Sequence, residues 1–293
     1  MKPFALLALA AALASCSQIR VCRRELWVRN DERRDQLDLL ILSEGVGAED
    51  KDDSHALDLA RRTLDGRKIV DLPEWPEFDL DELATDPDED LSAEDRLLLQ
   101  EIVSGIQLQW VQAYVDEKGR LSWAQHFRVR GAQKTLDALN RYLRLVARES
   151  DEGEDLLEIA QARRYREASE SDWEFVRFEG AQLRIRLPLI DSKAWELSQE
   201  IRKVSGPEFP VTIDFEDAAT VLYFGDAEEE LWHAMWPREE EAYDCELLHR
   251  MLGEKRVDVE LTRKDLIERF RVACQPEVAP LPGTRRPIER KRH

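Results

Sequence analysis

One recurring pattern constrains the fold more than anything else in the chain. Two runs with strand-like alternation are followed by a run with helical periodicity. It is clearest in IQLQWVQAYVDEKGRLSWAQHFRVRG, residues 106–131. Val111, Ala113 and Val115 fall on one side of the first run, and Trp110, Gln112 and Tyr114 on the other. Glu117-Lys118-Gly119 supplies the glycine-containing turn of a hairpin. Trp123, Phe127 and Val129 lie on the returning run, and Leu136, Leu139, Leu143 and Val146 then recur at helical spacing.

A second unit reads WEFVRFEGAQLRIRLPLI. Leu183, Ile185, Leu187 and Leu189 alternate with Arg184 and Arg186, so one core face and one wet face are expected, with Pro188 marking an edge or a strand end. Asp191 or Ser192 caps the following helix, which carries Trp195, Leu197, Ile201 and Val204 and stops at Gly206-Pro207. Two looser units follow the same plan. Residues 19–42 give two apolar runs, and a helix capped by Ser54 carries Leu57, Ala60 and Leu64 up to Gly66. Residues 211–224 give two more runs, and Asp226 with Glu229 has the form of a capping box for a helix ended by Pro237. The fold class expected is α+β, built from antiparallel hairpins each followed by a helix. A duplicated ββα architecture is one reading of the succession, and an unrelated α+β arrangement is the other.

The remaining body pieces are connectors and ends. Residues 72–90 form a Pro- and acid-rich linker. Ser92 and Asp95 box the start of a helix that Gly105 ends. Residues 149–155, ESDEGED, are the candidate lobe boundary within a body spanning 16–275. Val257, Val259 and Leu261 alternate as a strand, and Thr262 with Asp265 caps a last helix reaching Cys274. The basic stretch 276–293 reads as a disordered tail.

The N-terminus has a different character. Lys2 precedes an unbroken apolar run, Phe4 to Ala14. Eleven residues are too few to cross a bilayer, which takes about 20, but they suit the h-region of a secretory signal. The run closes on Leu13-Ala14-Ser15-Cys16. In these four positions the chain resembles precursors of bacterial lipoproteins, whose signal ends in Leu, two small residues and an obligatory Cys. The resemblance covers the signal alone and identifies no family for the body. It implies that residues 1–15 are a signal peptide removed by cleavage, that Cys16 becomes the first mature residue, and that Cys16 is the lipid attachment site, carrying palmitate-type chains. Ser17 in place of Asp implies, again by resemblance, the outer membrane with the body facing the periplasm. An ordinary secretory signal cut near Ala14 is the alternative. Buried acyl chains contribute about 0.8 kcal/mol per CH₂, and more than one chain makes anchoring stable.

Composition limits the partners. The 293 residues carry a net charge of −19, and removal of Lys2 with the signal makes it −20. So acidic a body repels phosphate backbones, and nucleic acid is not an expected partner. Arg20, Arg23, Arg24 and Arg29 near the anchor, and the basic far end, are the exceptions. Basic residues beside an anionic leaflet contribute about 1 kcal/mol each. With Cys16 acylated, three thiols remain, Cys22, Cys245 and Cys274. They permit one disulfide with one left over, and no spacing selects the pair.

Motifs for chemistry are weak. Asp86, Asp88 and Asp90 alternate as in a calcium loop, but Leu91 and Leu97 stand where Gly and Glu are required. Cys245 and His249 share a helical face near His233, without HExxH spacing or further ligands. GxSxG, P-loop and GxGxxG patterns are absent. No catalytic, cofactor or metal residue is therefore assigned, and no cofactor is expected. Of the eight Trp, most sit at core-like positions. Trp75, in the linker, is the candidate to inspect for exposure, as an exposed Trp stacks on sugar rings. The function these readings favour is a lipid-anchored envelope protein with a binding or scaffolding role beside an envelope protein partner. The alternatives are an envelope hydrolase acting on cell-wall sugar or peptide, and a structural subunit that self-associates through exposed hairpin edges.

Overall fold

A computed structural model describes residues 19–48, 54–70, 78–85, 92–148, 156–204, 211–216, 219–226, 229–237 and 246–275. Cys16, Trp75, Asp86, Asp88, Asp90, Cys245, the 149–155 boundary and the 276–293 tail all lie outside the described residues.

The architecture is α+β. Six strands form the main sheet. In spatial order they are β11 (Leu231–Pro237), β1 (Ile19–Asp31), β2 (Gln36–Ala48), β6 (Leu121–Arg130), β5 (Ile106–Val115) and β12 (Val257–Asp258). All neighbours are antiparallel except β12, which meets β5 in parallel at Ala113 and Tyr114. A second sheet has the order β7 (Val176–Glu179), β8 (Gln182–Leu187), β10 (Ala219–Phe224) and β9 (Val211–Glu216). β3 (Ile69–Val70) and β4 (Phe78–Asp79) make a short separate pair.

The helices are α1 (Ser54–Leu64), α2 (Leu80–Thr85), α3 (Ala93–Gly105), α4 (Ala132–Arg148), α5 (Leu156–Ser169), α6 (Asp191–Val204), α7 (Glu246–Gly253) and α8 (Arg263–Cys274). Two begin with complete capping boxes, Ser92/Asp95 on α3 and Thr262/Asp265 on α8. Each box satisfies two backbone N–H groups that the first helical turn would otherwise leave open. No described helix is long and apolar enough to cross a membrane.

Three hairpins are followed along the chain by a helix, β1–β2 by α1, β5–β6 by α4 and β7–β8 by α6, without making a clear repeat. The fourth departs. The helix expected after Asp226 is instead strand β11, paired with β1 from Arg23↔Pro237 to Arg29↔Leu231. Trp232 explains the difference. It is 3 % exposed, packs with Val28, Phe178, Leu183 and Phe224, and donates from Nε1 to the Ala181 carbonyl at 2.8 Å. One indole thus joins the two sheets, and this tertiary gain overrides the local capping signal. Gly225 (φ +93°) lies so close that a Cβ there would meet the indole at 2.5 Å. With one of its helices replaced by a strand, the succession is not carried through as four copies of a ββα unit.

Smaller corrections have equally local causes. The linker contains β4 and α2, organised by Asp79, whose carboxylate accepts from the Asp81 and Glu82 amides and pairs with Arg62. β12 stops at Asp258 and leaves Val259 64 % exposed. Arg184, expected on a wet face, is buried and pairs with Glu216 and Glu179. Trp195, expected in the core, is 64 % exposed, whereas Ala194 and Leu197 on the same helix are buried. Cys22 and Cys274 are buried free thiols.

If the indole joins the sheets, Trp232→Ala should cost about 3–5 kcal/mol. Urea denaturation measures it; a loss below about 1 kcal/mol, the range of surface changes, contradicts that role.

Candidate functional site

The polar groups best placed for chemistry lie on the face of the main sheet that α8 covers. β1, β2 and β6 are central strands, and α8 shuts much of this face from water. Alternation puts Glu25 and Trp27 of β1 on this face. Registers Glu25↔Leu42, Trp27↔Leu40, Leu40↔His126 and Asp38↔Arg128 bring Leu40, Leu42, His126, Asp38 and Arg128 beside them. Helix α8 lays Leu266, Ile267, Phe270 and Cys274 over Trp27, Leu40, Leu42 and Tyr114. Charged groups sit at both ends of this apolar strip.

At the N-terminal end of α8, Arg263 donates to both carboxylate oxygens of Glu25, from Nε at 3.0 Å and Nη2 at 2.7 and 2.6 Å. Its Nε also lies 3.7 Å from Glu44. Glu44 pairs with Arg23 and accepts the Tyr114 hydroxyl at 2.9 Å. Glu25, Glu44 and Tyr114 are buried. Burial works against the charge of Arg263, but hydrogen bonding and attraction from Glu25, then Glu44, hold its pKa above the ordinary value. Burial also raises the Tyr114 hydroxyl well above its usual range, with Glu44 adding to the effect, so it remains a donor. His233 stacks on Trp27 at 4.5 Å, with Nε2 4.0 Å from Glu25.

At the other end stand Asp38, His126 and Cys274, all buried, with potential ligand atoms within 4.8 Å of one another. His126 Nε2 is 2.9 Å from Asp38 Oδ1, Arg128 Nε donates to the same oxygen at 2.8 Å, and Gln36 donates to Oδ2 at 2.6 Å. Burial alone would raise the Asp38 pKa; the hydrogen bonds from His126, Arg128 and Gln36 outweigh it and hold the carboxyl below the ordinary aspartate value. The His126 ring packs edge-on against Trp110 and Phe270, and among the described residues its buried Nδ1 has no hydrogen-bond partner. Arg128 Nη2 donates to the Ala273 carbonyl at 2.9 Å, and Arg29 donates to that of Cys274. These two guanidinium groups satisfy carbonyls in the last turn of α8 and complement the negative end of its dipole.

The Cys–His–Asp set has the composition of a nucleophilic triad or a zinc site, and the geometry serves neither. Burial pushes the Cys274 thiol up to about 12, with Asp38 adding to the shift, which disfavours the free thiolate that a nucleophile requires. His126 is 1 % exposed. A cation would have to share Asp38 with a hydrogen-bonded guanidinium. The arrangement is a polar dock for α8.

The two sequence candidates nearest to a site are not brought together. His233 belongs to the α8 dock, while His249 is exposed on α7, whose Leu247, Leu248 and Met251 join a different core with α1. Sequence reasoning missed Glu25, Asp38, Glu44, His126 and Arg263. The available signal was an ionisable residue at a core-facing position inside runs such as ELWV and LDLLIL.

Two surface cavities lie elsewhere. One, of about 350 Å³, has mixed charge and lies between α3 and α4, with Leu97, Glu101, Arg141 and Arg144 in its wall. The other, of about 530 Å³, follows β5 from Ile106 to Val111 and is closed on one side by Leu64, Gly66 and Lys68. Among the described residues β5 is bridged on its outer side only at Ala113 and Tyr114. Over 106–112 no described strand pairs with this edge, which runs beside the groove. No family model matches the chain, and no curated protein or solved structure matches it.

Three outcomes follow from the dock. Arg263→Ala leaves Glu25 buried without its main partner. It should cost about 2–3 kcal/mol by urea denaturation, below the 3–5 of a fully buried pair because Arg263 is a third exposed. Asp38 has a folded pKa below its unfolded one, so its contribution is complete above about pH 4 and is lost as pH falls through the folded value. Wild type should therefore lose stability in acid more steeply than Asp38→Asn, and equal slopes would contradict the assignment. Cys274 should resist iodoacetamide at neutral pH in the folded protein and react at the unfolded rate in urea.

Proposed function

We propose that the chain is a lipid-anchored envelope protein, fixed to a membrane through Cys16, whose body binds or scaffolds a partner rather than carrying out chemistry. One observation carries the reading: an apolar run of h-region length ends in Leu13-Ala14-Ser15-Cys16, and a charged, water-compatible body begins directly after it. Hydrophobic transfer of the acyl chains supplies the anchoring energy, and the body needs no membrane-crossing helix. The outer membrane, with the body in the periplasm, is the proposed location.

The β5 edge over 106–112, which no described strand covers, supports the binding half of the reading. A strand edge beside a groove offers unpaired N–H and C=O groups to an extended segment of an envelope protein, and side-chain pockets beside it give selectivity. The closed state of the Cys–His–Asp cluster favours this reading over a hydrolase.

The experiment is fractionation and mass measurement of wild type and Cys16→Ser in a bacterial host. The wild-type product should begin at residue 16, carry acyl groups and sediment with membranes, and the variant should move to the soluble fraction. Equal membrane recovery of the two, or a native product without acyl groups, contradicts the proposal.

A further inference from the structure

We infer which end of the body faces the bilayer. This rests on the anchoring of Cys16 proposed above. The membrane-facing end is the one formed by the start of β1, the close of β2 and the β5–β6 turn, and the surface it meets is the lipid headgroup layer.

The tether is short. Only Ser17 and Gln18 separate Cys16 from Ile19, the first residue of β1. Three Cα steps reach at most about 10 Å when fully extended. The start of β1 is thereby held within that distance of the anchor residue.

Registry carries this level across the sheet. Ile19 stands opposite Ala48 at the close of β2. β2 is paired with β6 from Gln36↔Arg130 to Ser43↔Trp123, and continuing that register sets Gly47 and Ala48 level with Gly119 and Lys118. Two contacts hold the strands together beyond the last ladder pair. The Gly45 amide donates to Ser122 Oγ at 3.1 Å, and Arg120 Nη1 donates to Cys22 Sγ at 2.8 Å. Gly45 (φ +65°) is packed so closely that a Cβ there would meet both Cys22 and Arg120 at 2.8 Å. The Asp116–Arg120 turn is thus braced against β1 and comes down to the same level as its first residue.

The opposite end is remote. Asp31 closes β1 twelve residues beyond Ile19, which at about 3.3 Å per residue is roughly 40 Å. There the 3₁₀ turn Glu32–Arg34 meets the second sheet, with Gly180 donating to Glu32 at 3.0 Å and Asn30 donating to Gly180 at 2.8 Å.

The near end is not a basic patch. Among the described side chains there, Arg23, Lys118 and Arg120 are accompanied by Asp116 and Glu117. The tether therefore sets which end is near, and a mature charge of −20 opposes rolling the body flat onto an anionic leaflet. In this orientation Ile106 and Val111 of the β5 groove are level with Asn30 and Leu26 of β1. The groove stands roughly 20–35 Å above the anchored end, open to the aqueous side.

The test uses the natively acylated full chain in phosphatidylcholine–phosphatidylglycerol vesicles. A donor fluorophore is coupled to an azidophenylalanine at position 118 or position 33, both exposed, and the acceptor is carried on a lipid headgroup. Energy transfer from position 118 should exceed that from position 33 several-fold; equal or reversed efficiencies overturn the orientation. Acyl mass and vesicle flotation are measured on the same samples. A protein that lacks acyl groups or fails to float overturns the anchoring and the orientation together. One that is acylated and floats, with equal transfer from the two positions, overturns the orientation alone.

Discussion

The Arg263–Glu25 pair is the contact on which the rest of the main sheet's covered face depends. Glu25 sits buried in a central strand, and an isolated carboxylate there would be costly. Arg263 is the residue that makes the position tolerable, and it belongs to an element more than 230 residues away in sequence. Docking α8 is therefore coupled to burying Glu25. The same helix brings Leu266, Ile267 and Phe270 over Trp27, Leu40 and Leu42, so the apolar and ionic parts of the interface form together. Glu44, Arg23 and Tyr114 extend the network to β2 and β5.

At the far end of α8 the same logic runs with opposite sign. The last carbonyls of the helix carry partial negative charge, and Arg29 and Arg128 come up from the sheet to meet them. Asp38 balances Arg128 and orients His126. A Cys–His–Asp cluster thus arises as a by-product of helix docking. Its resemblance to a reactive centre lies in residue type, while burial and the competing guanidinium groups place it among structural polar networks.

Much of the local structure was legible in the sequence because its causes are local. The capping boxes at Ser92 and Thr262 need only four residues each. The 106–131 hairpin needs alternation and a glycine turn. The failures share a different cause. Residues 226–237 carry a helix-start signature, yet Trp232 gains more by joining two sheets than a short helix offers. Trp195 has helical spacing with Leu197 and Ile201 but lies on the wet side of α6. The α8 dock was not legible for the same reason: Glu25 and Arg263 each look like ordinary charged residues until the fold puts them in contact.

The central structural claim is that α8 is an integral layer of the body, locked by the pairing of partly exposed Arg263 with buried Glu25. Native-state hydrogen exchange of wild type and Glu25→Gln tests it most directly. In wild type the α8 amides should be protected to the same degree as those of β1. In the variant, α8 should exchange through a local opening at much lower free energy while β1, β2 and β6 keep their protection. Protection of α8 that is unchanged by the substitution, or α8 amides that already exchange freely in wild type, would contradict the account.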